Sequence, residues 1–174
     1  SSVAITSAFS AALVVSALAG APVGRVIDRH GPRRVMTAGS LLGVLALVVI
    51  ATSPGLPVFV IGWVLAGAAM AGVLYPPAFA AITGWFDRRR LGALATLTLV
   101  AGLASTVFAP LTATVGEQLG WRATYLWAAS VLFVVTIPTH WLLLRRPWPA
   151  REHRDEPAAD SAHAAAVQRS ARFR

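Results

Sequence analysis

The chain has 174 residues, is 56% hydrophobic and only 13% charged, carries a formal net charge of +8 and contains no cysteine. A soluble domain of this size carries about twice that share of charged residues, so the balance excludes an ordinary globular protein and points to the membrane class. The missing cysteines exclude disulfide scaffolds, thiolate metal sites and cysteine nucleophiles.

The first uncharged run, residues 1–23, is long enough to span a bilayer, and a helix is predicted over 3–23. A cleaved secretory signal is the rival reading, because Ala17 to Ala21 resembles a cleavage site. Its positive residues, however, follow the apolar run, whereas in a signal they precede it. The chain also starts at Ser1 inside an apolar run, which suggests a fragment.

Residues 24–34 then gather Arg25, Asp28, Arg29, Arg33 and Arg34 into a predicted loop. A charge at the bilayer centre costs roughly 2.5–3.5 kcal/mol, so such a cluster belongs at a membrane surface. Gly31-Pro32 supplies a turn and a first-turn proline for a second span over 35–51. Ser53 to Pro57 is a compact turn into a third span, 57–83, which Pro76 and Pro77 can kink. Trp85 and Phe86 close that span, and Asp87, Arg88, Arg89 and Arg90 form a charged loop before a fourth span at 91–115. Trp121 and Tyr125 open a fifth at 123–144, with Trp141 and Trp148 at its exit, as interfacial aromatics do. The polar tail, 149–174, reads as a cytoplasmic linker with a short surface helix at 158–169.

The expected fold is therefore an all-α, five-span transmembrane bundle. All fifteen cations are arginines, and fourteen lie on one side of this topology; Arg122 is the exception. The positive-inside rule makes the rich side cytoplasmic and puts Ser1 outside. With topology accounting for the basic charge, nucleic acid is not an expected partner. The all-Arg, Ala-rich composition fits a high-GC bacterial genome and hence a bacterial inner membrane. Small residues recur at four-residue spacing: Ser16, Gly20 and Gly24, then Gly39 and Gly43, then Ala68 and Gly72. That spacing lines one helical face for close packing.

Gly24, Asp28, Arg29, Gly31, Arg33 and Arg34 follow a spacing that resembles the loop signature of the major facilitator superfamily. Tyr75-Pro76-Pro77, the segment from Trp85 to Arg90, and Leu119-Gly120-Trp121-Arg122 are similar to later segments of that family, especially its monocarboxylate and oxalate/formate-type branch. The resemblance covers about residues 3–148. It implies that the five spans match the family's second to sixth helices, without the first helix and the second half. It also implies alternating access around a cavity lined here by the first, third and fourth spans. Two features depart from the pattern: Trp63 stands where an arginine often opens the fourth helix, and Ala109-Pro110 replaces a Gly-Pro associated with proton-coupled antiport.

No Asp, Glu, Lys or Arg falls within the predicted spans, so this portion lacks the usual mark of an ion pathway. His140 sits near the cytoplasmic end of the fifth span, where an interfacial role is expected ahead of proton carriage. Asp28 can pair with the surrounding arginines, and the resemblance implies that this loop latches the two halves of the transporter. Tyr75, at the kink, is the first candidate for substrate contact, followed by Ser105 and Thr106, whose hydroxyls can instead bond back to their own helix. No phosphate-binding loop, His-Glu-x-x-His or Gly-x-Ser-x-Gly occurs, so no enzyme, cofactor or metal site is expected. The expected function is gradient-driven transport of a small solute, preferably an organic anion carried as by a symporter with a coupling proton. Drug efflux is the alternative, and a truncated, non-transporting assembly partner is a third reading. The expected partners are the lipid bilayer, the solute and the remaining helices of the intact transporter.

Overall fold

The first helix, α1 (Ser2–His30), runs unbroken through Pro22 and through most of the charged cluster. The structure is a computed structural model describing residues 2–86 and 89–148. Asp87, Arg88 and the tail from 149, with its expected surface helix, lie outside the described residues. The expected loop at 24–34 thus contracts to a single residue, Gly31, whose φ of 80° is open only to glycine in practice. Two causes extend the helix. Ile27 is buried and anchors the last turn, and Arg29 and His30 sit at the carboxyl end, where the helix dipole favours positive charge.

Gly31 also begins α2 (Pro32–Thr52), with the proline inside its first turn. The third span is two helices rather than one, α3 (Leu56–Val73) and α4 (Tyr75–Trp85). Pro76 and Pro77 have no N–H to offer the carbonyls of Gly72 and Val73, and the residue before a proline resists helical geometry. Leu74 accordingly turns extended (ψ −163°), while its own N–H still bonds to the Met70 carbonyl at 3.0 Å.

Residues 90–143 form one apolar helical stretch of 54 residues. Straight, it would measure about 80 Å, far more than a bilayer's roughly 30 Å core. It comprises α5 (Arg90–Val131), a π-helical segment (Leu132–Thr136) and α6 (Ile137–Leu143). Gly120 breaks it with φ 79° and ψ 166°, nearly the same conformation as Gly31. The break reverses the chain. The Phe108 and Trp127 rings stand 6.4 Å apart, whereas 19 residues of straight helix would separate them by about 28 Å.

After this reversal, residues 121–143 run antiparallel along α2. Arg122 reaches the carbonyls of Ala51 and Ser53, Leu132 packs on Gly43, His140 meets Ser40, and Arg33 meets Trp141. The core between helices is built from small side chains, chiefly Ala8, Ala12, Ala46, Ala69, Ala71, Ala81 and Ala129, with Ile27 and Ile50. Large side chains such as Leu18, Leu99, Leu103 and Val134 face outward. This inverted pattern suits lipid, where tails are as apolar as leucine and close packing holds helices together. Gly67 lies against the backbone of Ala12, and Gly72 lies against Gly39, so close that side chains would intrude.

Candidate functional site

The helices place residues 30–34, 85–86, 89–90 and 141–148 at one end of the bundle. At that end Arg33 donates from Nε to the Trp141 carbonyl (2.9 Å), and its guanidinium carbon lies over that ring, 3.8 Å from the centroid. Trp148 is the hub of the same end. Its indole N–H donates to the Asp28 carbonyl (3.2 Å), its ring meets Trp85 at 5.7 Å, and it fills the space beside Gly31 and Gly84. Trp85 in turn donates from Nε1 to the Pro147 carbonyl at 3.2 Å. The ends of α1, α4 and α6 are thereby tied at one point.

Of the signature residues, Gly31 is buried and Arg33 half-buried, whereas Asp28, Arg29 and Arg34 are exposed. Gly24 is half-buried within α1, and no described atom lies within 4 Å of where a side chain would stand. Arg89 and Arg90 are exposed at the start of α5 and donate no side-chain hydrogen bond among the described residues. The structure therefore gathers Asp28, Gly31 and Arg33 around Trp148 and Trp141, and these tryptophans were placed by sequence only as interfacial anchors.

The far end repeats the device. Asp28-x-x-Gly31-x-Arg33 recurs as Glu117-x-x-Gly120-x-Arg122. Each glycine reverses the chain, and each arginine two residues later reaches the carboxyl end of the antiparallel neighbour. Arg122 donates from Nη1 to Ala51 and from Nη2 to Ser53, both at 2.9 Å, and stacks on Trp121 at 4.6 Å. Carbonyls at a helix end have no intrahelical partner, so a cation there satisfies them and complements the dipole. The repeated spacing is the sequence signal that would have revealed this reciprocal clasp.

Between the ends, Tyr75 is exposed at the start of α4, its ring tilted against Phe79 at 5.4 Å. Its hydroxyl makes no hydrogen bond among the described residues. Ser105 and Thr106 lie exposed on α5. Thr96, Thr98, Thr112 and Thr114 of that helix donate to carbonyls three or four residues earlier at 2.8–3.0 Å; Ser105 and Thr106 do not. Three hydroxyls are thus left for an external partner, although no described contact joins Tyr75 to the other two. His140 is tied between helices by Nδ1, at 2.9 Å from Ser40 Oγ and 3.2 Å from the Met36 carbonyl. Among the described residues no group of three His, Cys, Asp or Glu can hold a metal ion.

Residues 1–173 match the profile of the Major Facilitator Superfamily. The chain is 32% identical over 130 residues to an uncharacterized 38 kDa protein in the 23S RNA operon of Thermoproteus tenax, covering 75% of this chain and 34% of that one. An uncharacterized MFS-type transporter of Bacillus subtilis is 30% identical over 67% of this chain and 29% of its own length. The fujikurins efflux protein of Gibberella fujikuroi is 32% identical over 48% of this chain and 19% of its own. The chain spans about a third or less of the length of these relatives.

Proposed function

The chain belongs to the major facilitator superfamily, and on that premise we propose that it forms the second to sixth helices of a secondary transporter working by alternating access. The rest of a longer polypeptide supplies the remaining helices and the other half of the cavity. The observation that carries this reading is the interruption at Leu74. Broken helices are tolerated at membrane depth only where protein or a water-lined cavity satisfies the freed backbone. This break exposes Tyr75 in a bundle whose charged residues gather at its two ends.

The transported solute is a small organic molecule held by Tyr75, Ser105 and Thr106. Pro76 and Pro77 remove amide donors from the start of α4, so hydroxyls supply the hydrogen bonds there in place of a backbone nest. Organic anions are the preferred class, supported by the sequence resemblance of residues 75–122 to monocarboxylate carriers, with a coupling proton bound outside this portion. Export of drug-like compounds is the second reading, favoured by the relative named as an efflux protein. Asp28 and the arginine-rich end act as the cytoplasmic latch, with the first residue outside and the membrane a bacterial inner membrane.

The test is gradient-driven uptake by the intact transporter in proteoliposomes, with a panel of monocarboxylates and a panel of amphipathic drugs. Accumulation of one class, lowered at least tenfold by Asp28→Asn at equal protein abundance, is the expected result. Unimpaired uptake by that variant removes the latch. A folded protein that moves neither panel removes the substrate assignment.

A further inference from the structure

The arginines at the Trp148 end do more than mark a side of the membrane. Arg33 and Arg34 from the start of α2 converge with Arg145 and Arg146, from the segment after α6, around one recess of about 380 Å³ walled by Trp141 and Trp148. Small-ligand pockets run from roughly 300 to 1,000 Å³, so the recess can hold a head group. Among the described residues no carboxylate lines it. Arg33 is pre-set by its bond to the Trp141 carbonyl and its stacking on that ring, which leave its terminal nitrogens unused. Arg34, Arg145 and Arg146 donate to no described group. Four guanidinium groups brought together with no anion among the described residues repel one another, and their planar forks match phosphate oxygens.

We propose that this recess binds the phosphodiester head group of an anionic phospholipid from the adjoining leaflet. A lipid is favoured over a soluble phosphate by position. The site lies at the end of membrane-length helices, and its walls are indole rings, which prefer the interfacial layer where head groups reside. The proposal requires only that the chain spans a membrane and is independent of the transported solute. It assigns the arginines a specific ligand in addition to the leaflet-wide attraction that any basic segment feels.

The test uses the full chain purified in uncharged detergent and measures binding of phosphatidylglycerol, phosphatidylcholine and inorganic phosphate by native mass spectrometry. The proposal expects retained phosphatidylglycerol, weakened about tenfold in the double variant Arg145→Gln/Arg146→Gln. The double variant Arg89→Gln/Arg90→Gln, which removes the same charge outside the recess, should stay within twofold of the parent. Equal loss in both variants reduces the effect to bulk charge and overturns the site. Equal retention of phosphatidylcholine, or binding of inorganic phosphate in preference to lipid, overturns the assignment to an anionic lipid. Hydrogen exchange on the unmodified chain gives a readout free of folding defects. Phosphatidylglycerol should protect the amides of residues 31, 33, 34, 144–146 and 148, and protection absent there contradicts the proposal.

Discussion

A β-carbon at position 67 would collide with the backbone of Ala12, whereas one at position 20 meets nothing within 4 Å among the described residues. The two glycines look alike in the sequence, yet only Gly67 sets how closely α1 and α3 approach. Gly67→Ala should therefore cost about 1–3 kcal/mol through overpacking. Gly20→Ala should be neutral or gain up to about 1 kcal/mol from helix propensity. Denaturant unfolding of the purified chain in mild detergent separates the two, and equal effects would contradict the packing. Arg122 offers a second test at this scale, since both its bonds end on otherwise unpartnered carbonyls of the α2 terminus. Arg122→Gln should lose roughly 1–2 kcal/mol, below the full range for two charged hydrogen bonds because the side chain is partly in solvent. Arg122→Lys should recover less than half of that in the same unfolding assay, since an ammonium cannot fork. Sequence reading saw Arg122 as the exception to a charge rule and as the end of a family-like segment; its role became visible once Gly120 proved to be a reversal.

Single elements show why some boundaries were legible and others were not. The double proline announced a kink, but its consequence, an extended Leu74 and two separate helices, depends on which carbonyls lose their donors. The cluster at 24–34 looked like a loop because of its charge. Its side chains instead project from the last turns of α1 and the first turn of α2, and Ile27 holds α1 in register. The π-helical segment left no sequence mark. Leu132 packs on Gly43 and His140 on Ser40, both toward α2. Eight residues of regular α-helix would leave those two positions about 80° out of line. A π-turn absorbs one residue and restores the alignment. Because the chain has no native cysteine, Ser40→Cys with His140→Cys gives a clean cross-link to follow. Deleting Val134 should regularise the segment and keep cross-linking within about twofold, while inserting an alanine after Val134 should lower it at least fivefold. Loss of the cross-link on deletion would show that the π-turn does not serve this alignment.

At the scale of the whole molecule, alternation of uncharged runs with arginine clusters made the all-α membrane class legible from the chain alone. Charge in lipid is costly enough to be written plainly into sequence. The pairing of residues 121–143 with α2 was not legible, because it rests on two glycine reversals and on contacts between residues about a hundred positions apart. The candidate site divides in the same way. Asp28, Gly31, Tyr75, Ser105 and Thr106 were nameable from type and spacing, whereas the Trp148 tie and the arginine-lined recess needed three dimensions. The central claim is that the hydroxyl-bearing stretch of α5 lines a cavity whose outward opening depends on the Asp28 latch. In the intact transporter, a Ser105→Cys variant should react from outside with a membrane-impermeant maleimide, and adding Asp28→Asn should slow that reaction several-fold as the outward-facing state empties. A cysteine at 105 that is unreactive, or one that reacts equally with and without the latch carboxylate, would contradict it.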